Sequence, residues 1–457
     1  MPALAEPQFG LLWITLAAVV GLVVLLSRFK LNAFLGLLLA SVFVGIGTGM
    51  KPVEIAKAFQ DGMGTTLGFI AIVVGLGTML GRLLAESGGA QVIASRLIDG
   101  MGERRLPWAI MLVALVIGLP VFFGVGVVLL MPIVATLARQ TGRSRLLLGL
   151  PLMAGLSVAH GLIPPHPGPL VAVDKLHADI GKTLLWSLVI GLPTAMLAGP
   201  VFAYWISPKI RGLAPLADPP STAISTRTRT PGFALTLFTI LLPVLLMFLA
   251  TFVQIGWTAP VAIKDAPPSV RDWLLFLGQP AIAMLIAVLF AWWAFGRRCG
   301  FTRAQVLKFS EESVGPAAVI LLVVGAGGGF SKVLVAAGVD QVVVACVKDL
   351  PISPLLLGWL LAALIRVAVG SATVAITLAA GLMAPIVAAI PGTNLELLVV
   401  ALGAGSLTLS HLNDGGFWFV KEYLQLDIPQ TLKTWTIIET LISLLALGFA
   451  MVLDVWF

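Results

Sequence analysis

GLGTMLGRLLAESGGAQVIASRLID at Gly75–Asp99 returns 250 positions later as GAGGGFSKVLVAAGVDQVVVACVKD at Gly325–Asp349, with seven identities in 25 positions and Arg82 matched by Lys332. Shared composition alone would give about two or three identities. Nearly the same offset sets Ser157-Val158-Ala159-His160 against Thr408-Leu409-Ser410-His411, and Trp186 against Trp435. The chain therefore reads as a first repeat over 1–206, a polar cytoplasmic linker over 207–231 and a second repeat over 232–457.

The solvent of this fold is lipid. Hydrophobic residues make up 59% of the chain and charged residues 11%, with a mean hydropathy of +1.06, outside the range of water-soluble domains. Apolar stretches of about twenty residues, enough to cross a hydrocarbon layer of roughly 30 Å, recur from Leu11 to Phe457. Ten spans are expected, near 11–27, 31–49, 64–84, 146–178 and 184–206, then 232–254, 273–295, 313–335, 395–425 and 433–455. Leu11–Leu26 lacks a preceding basic region and a following cleavage site, and so reads as a retained span rather than a signal peptide. With the N-terminus outside, the cytoplasmic segments carry eighteen Lys and Arg and the external loops seven, which satisfies the positive-inside rule and places both termini in the periplasm. Five spans per repeat turn the second copy upside down, the arrangement that lets one central site face either side in turn. The predicted fold class is thus an all-α polytopic membrane protein of two inverted repeats.

Each repeat holds an apolar segment too broken to cross simply, Leu106–Leu137 and Ile352–Ile390, read as a re-entrant hairpin. Backbone that leaves the helical ladder at membrane depth must be buried in protein or line a wet cavity, because lipid cannot satisfy its polar groups. Nearly all the intramembrane polarity falls in four segments that form matching pairs: GLPVFFGVG (Gly118–Gly126) and RVAVGSATVA (Arg366–Ala375) in the hairpins, HGLIPPHPGP (His160–Pro169) and HLNDGGFWFV (His411–Val420) in the spans that follow.

A broken helix offers amide groups and a positive dipole end that can hold a carboxylate without a full protein charge. Gly370, Ser371 and Thr373 suit that role, although Ser and Thr also bond back to their own helix. Arg366 either neutralises an entering carboxylate or pairs with an acid to hold its hairpin. His160, His166 and His411 either bind hydroxyls and pass protons or cap the breaks through free carbonyls. Asp414 is the expected proton-coupling acid, since ionisable residues near mid-membrane are costly and serve transport. Glu439 is a weaker second candidate, and Asn413 supplies an amide for the substrate.

Other chemistries find little support. His160 and His166 have Pro164 and Pro165 between them, which forbids a shared helical face for a metal. Cys299 and Cys346 lack metal or redox spacing and read as apolar fillers. A net charge of +7 suggests nucleic acid, but the basic residues are scattered through short loops and form no stripe. Phosphate-loop and dinucleotide motifs are absent, so neither ATP-driven pumping nor a cofactor is expected. An ion channel and an intramembrane hydrolase built on Ser371 stay open as rival classes.

At RFKLNAF (Arg28–Phe34), GTTLGFIAIVVGLG (Gly64–Gly77), ESGGAQ (Glu86–Gln91) and LKTWTIIETLIS (Leu432–Ser443), together with HGLIPPHPGP, RVAVGSATVA and HLNDGGFWF, the chain resembles the gluconate permease family of bacterial symporters, within the ion transporter superfamily. The likeness runs nearly end to end. It implies proton-coupled uptake across the inner membrane of gluconate or a related small acid, with other hexonates, glycerate and D-serine as alternatives. It also implies a homodimer and a transport domain that moves against a fixed scaffold. Two positions depart from the family pattern: Gly124 stands where an acidic residue is usual, and Gly415 where proline often follows the Asn-Asp pair.

Overall fold

The computed structural model describes residues 9–29, 31–210, 229–256, 268–339, 342, 352–390, 392–411 and 414–456. Asn413, Cys346 and most of the linker lie outside them. Every regular element among the described residues is helical. In the first half these are α1 (Phe9–Ser27), α2 (Ala33–Gly47), α3 (Pro52–Ser87), α4 (Gly89–Met101), α5 (Leu106–Gly118), α6 (Phe123–Thr141), α7 (Arg145–Leu162), α8 (Pro167–Leu176) and α9 (Ile180–Met196), which continues through a π-helical turn into α10 (Phe202–Ile206). The second half runs α11 (Phe233–Gly256), α12 (Val270–Leu277), α13 (Pro280–Ala291), α14 (Arg303–Ala336), α15 (Pro354–Val369), α16 (Ala372–Ala389), α17 (Leu395–Gly405), α18 (Gly415–Tyr423), α19 (Ile428–Thr431) and α20 (Ile437–Asp454).

Among the described residues six helical stretches are long and apolar enough to cross a membrane, seven if the two arms of α3, bent by 42°, count as one span. This is fewer than the ten full spans expected. Part of the shortfall lies in α17, which stops after 11 residues. Another part lies in α14, whose first half carries Lys308, Glu311 and Glu312 and leaves only Leu321–Ala336 apolar.

Local chemistry sets the boundaries. Ser144 accepts from Leu146 N at the start of α7, and Asn394 accepts from Leu397 N at 3.0 Å at the start of α17, each satisfying one of the amides that a helix start leaves without a partner. Gly370 ends α15 in the left-handed conformation, φ 78°, which a residue with a Cβ adopts only under strain. Both segments read as hairpins are broken where expected, at 119–122 and at 370–371, and both following spans break at 163–166 and 406–414.

At the centre stand α7 and α17. Leu397–Gly405 is buried throughout, and 89% of the apolar window across α7 and α8 is buried. Small residues allow this density, as they do wherever membrane helices approach closely. A Cβ on Gly155 of α7 would lie 2.6 Å from Met111 O of α5 and 2.8 Å from Ala114. On Gly405 of α17 it would lie 2.3 Å from Trp359 O of α15 and 2.9 Å from Ala362. The packing crosses between halves as well: α8 lies against α16, α18 against α6, and α3 along α14.

Candidate functional site

The four polar segments converge. At the end of α5, His166 Nε2 bonds Gly118 O at 2.6 Å. At the end of α15, His411 Nε2 bonds Val367 O at 3.1 Å. Each ring therefore satisfies a carbonyl exposed where its neighbouring hairpin helix stops, a group that would otherwise be costly at membrane depth. The repeat aligns His411 with His160, yet in space His166 is the residue that does the work of His411. His160 instead sets its ring 5.1 Å from that of His166 and 6.5 Å from that of Phe122, and its buried Nδ1 has no hydrogen-bond partner among the described residues. His160 therefore has hydrogen-bonding capacity left for a guest.

The break between α15 and α16 is joined to the one before α18 by an ion pair. Arg366 is 3% exposed, and its Nη2 donates to Asp414 Oδ2 at 2.5 Å. Its Nη1 donates to Gly370 O, and its buried Nε has no partner among the described residues. Asp414 caps α18 through Gly416 N at 2.8 Å and also accepts from Ser410 Oγ. Ser410 is in turn fixed by Trp435 Nε1 at 2.7 Å, and its carbonyl accepts from Thr436 Oγ1 at 2.5 Å. An arginine in hydrocarbon requires a partner with good geometry, and here two helix breaks supply it together.

Ser371 caps α16 by accepting from Val374 N, so its hydroxyl hydrogen is left to donate. Thr373 lies beside α8: a Cβ on Gly168 would come within 3.8 Å of its Cα. Glu439 is buried on α20, where Ser157 Oγ donates to it from α7. The charge of Arg366 reaches both Glu439 and His160. At the first tip, Phe123 packs on Trp435 with ring centroids 5.2 Å apart. Gly124 lies under Phe419, whose Cζ would be 3.3 Å from an added Cβ, so an aromatic ring covers the position where the family pattern has an acid. A small cavity opens beside His166, lined also by Val73, Gly77, Phe122, Pro165 and Met284.

Ser410, Trp435, Ser157 and Phe122 were not singled out by sequence reasoning as site residues. Trp435, Ser157 and Ser410 did stand in the repeat alignment, and Ser410 stands four residues before Asp414, a spacing that carries weight only once the chain is seen to turn there.

Helices broken at depth, with polar groups of both halves gathered between them, define a membrane transport protein. Comparison with known proteins gives the family: a model of the GntP family permeases matches residues 10–456, and the chain belongs to that family. It is 46% identical to the gluconate permease of Pseudomonas aeruginosa over 440 residues, covering 96% of each chain. To the high-affinity gluconate transporter of Escherichia coli it is 40% identical over 441 residues, 95% of this chain and 97% of that one. Further relatives from the same organism are named for L-idonate and D-serine transport, at 39% and 34% identity. Among solved structures, the YdaH transporter of Alcanivorax borkumensis superposes with a TM-score of 0.64 at 18% identity, covering 99% of this chain and 98% of that one, a likeness of fold alone.

Proposed function

We propose that this chain imports gluconate or a closely related sugar acid across the bacterial inner membrane by proton symport. The observation that carries the reading is the buried Arg366–Asp414 pair, which joins the helix breaks of two segments. While Asp414 is charged, it occupies the arginine. A proton on Asp414 removes that competition, and the substrate carboxylate takes its place on Arg366 beside Ser371 and the first amides of α16. The load then moves as a neutral ensemble. That matters because an anion entering a negative interior opposes about 2.3 kcal/mol per charge per 100 mV.

His160, Ser371 and Thr373 meet the hydroxyls of a polyol acid, to which Asn413 contributes an amide, while His166 and His411 hold the hairpin ends in place. Glu439, held by Ser157, is a second group on the path of the same proton to and from Asp414. Greater identity to relatives named for gluconate than to the one named for D-serine supports a sugar acid. Two inverted repeats, one re-entrant hairpin in each, make the site reachable from either face. The parallel contacts of Gly155 with α5 and Gly405 with α15, and the crosswise packing of α8 with α16 and α18 with α6, support that reading. The protein works as a homodimer with both termini in the periplasm. Purified protein in liposomes, given labelled hexonates, glycerate and D-serine under an imposed inward proton gradient, tests the proposal: gluconate or another hexonate should accumulate most strongly. Gradient-independent equilibration of every compound would contradict symport.

A further inference from the structure

A second cleft, of about 690 Å³, runs between α3, the first hairpin tip and α14, where Gly81, Arg82, Val121, Val125, Glu312 and Ser313 contribute to its walls. Gly77, Pro120 and Phe122 line both this cleft and the cavity beside His166, so the two are neighbours. Arg82 is the cation of this cleft. Its Nη2 is divided between Glu86 Oε1 at 3.0 Å and Glu312 Oε2 at 3.2 Å, and its Nε has no partner among the described residues. Glu312 is also 3.7 Å from Lys308. With Arg82 42% and Glu312 47% exposed, their attraction is weak and screened, so an arriving anion displaces the glutamate at little cost. The contrast with Arg366, sealed against Asp414 in the interior, is one of depth.

We infer that Arg82 is an outer carboxylate subsite on the cytoplasmic face, where the transported acid is held after leaving the central site and before release. This rests on the transport reading given above. Glu312 is its built-in competitor and returns to Arg82 as the acid departs. The repeat places Lys332 on α14 at the position matching Arg82, beside Gly62 at the other end of α3.

Sidedness tests it. In right-side-out and everted membrane vesicles from a host without gluconate uptake of its own, Arg82→Gln should raise the KM for gluconate at the cytoplasmic face about tenfold or more, the value of a charge-assisted hydrogen bond. The KM at the other face should change by less than about twofold, and Arg82→Lys should restore most of the loss. Glu312→Gln should act in the opposite direction and lower the cytoplasmic KM. A purely structural cross-link between α3 and α14 predicts that both variants lose transport at both faces alike, and that result would overturn the subsite. Unchanged KM at both faces in a parent chain that transports gluconate would remove the subsite and leave the transport reading standing, whereas a parent chain that moves no hexonate would remove both.

Discussion

Asp414→Asn separates coupling from transport. The amide keeps the shape of the side chain and an oxygen to accept from Gly416 N, so the cap of α18 survives. What is lost is the charge opposite Arg366, and removing one partner of a buried pair costs about 3–5 kcal/mol because the other is left uncompensated. In the variant residue 414 no longer competes for Arg366, so gluconate binding should depend less on pH and should protect the protein against thermal unfolding more than it protects the parent chain. Accumulation should fail. With no proton carried, an anion facing 100 mV, interior negative, is opposed by about 2.3 kcal/mol, or about 50-fold. Counterflow needs only an exchange of bound substrates and should persist. The assay is labelled gluconate in proteoliposomes, once with an imposed pH gradient and once preloaded with unlabelled substrate. Retained gradient-driven accumulation would refute the coupling role, and equal loss of counterflow from a folded protein would make Asp414 a structural or binding residue. Should the single variant fail to insert, Arg366→Gln with Asp414→Asn removes both charges and should recover the fold without transport.

Four further outcomes follow from the contacts. His166→Ala strips the bond to Gly118 O and should lower thermal stability by about 1–3 kcal/mol, whereas His160→Ala should leave stability nearly unchanged and raise the KM for gluconate, as read by thermal unfolding and uptake. Glu439→Gln keeps the bond from Ser157 and should shift or flatten the pH dependence of uptake; an unchanged profile would exclude it from proton transfer. Ser371→Ala should cost about 0.5–2 kcal/mol through the lost cap and weaken substrate binding as well. Gly405→Leu, forced against Trp359 O, should prevent folding, seen as loss of a monodisperse detergent-solubilised species.

Much of the architecture was legible in the sequence because broken helices announce themselves locally. Glycine and proline at 118–120, 164–168 and 370, set in apolar surroundings, fixed where the chain must leave the helix, and the repeat placed those points in pairs. The sequence also proposed that Arg366 either pairs with an acid or meets a carboxylate, and in the structure it holds an acid. What could not be read was which partners meet. Arg366 and Asp414 are 48 residues apart, and Ser157 and Glu439 are 282 apart; nothing in local pattern encodes such a meeting. For the same reason alignment paired His411 with His160, while the geometry gives the matching task to His166, because a ring caps whichever carbonyl the tertiary fold brings within reach. The six or seven long apolar spans among the described residues do not by themselves make up the ten expected, since hydropathy does not distinguish a stretch that crosses from one that stops halfway and turns.

The most direct measurement is lumenal pH in sealed proteoliposomes given an inward gluconate gradient and no imposed proton gradient. The symport account predicts that gluconate entry acidifies the lumen, in proportion to labelled uptake, and that Asp414→Asn abolishes the acidification while gluconate still crosses. Gluconate entering the parent chain's vesicles with lumenal pH unchanged would contradict it.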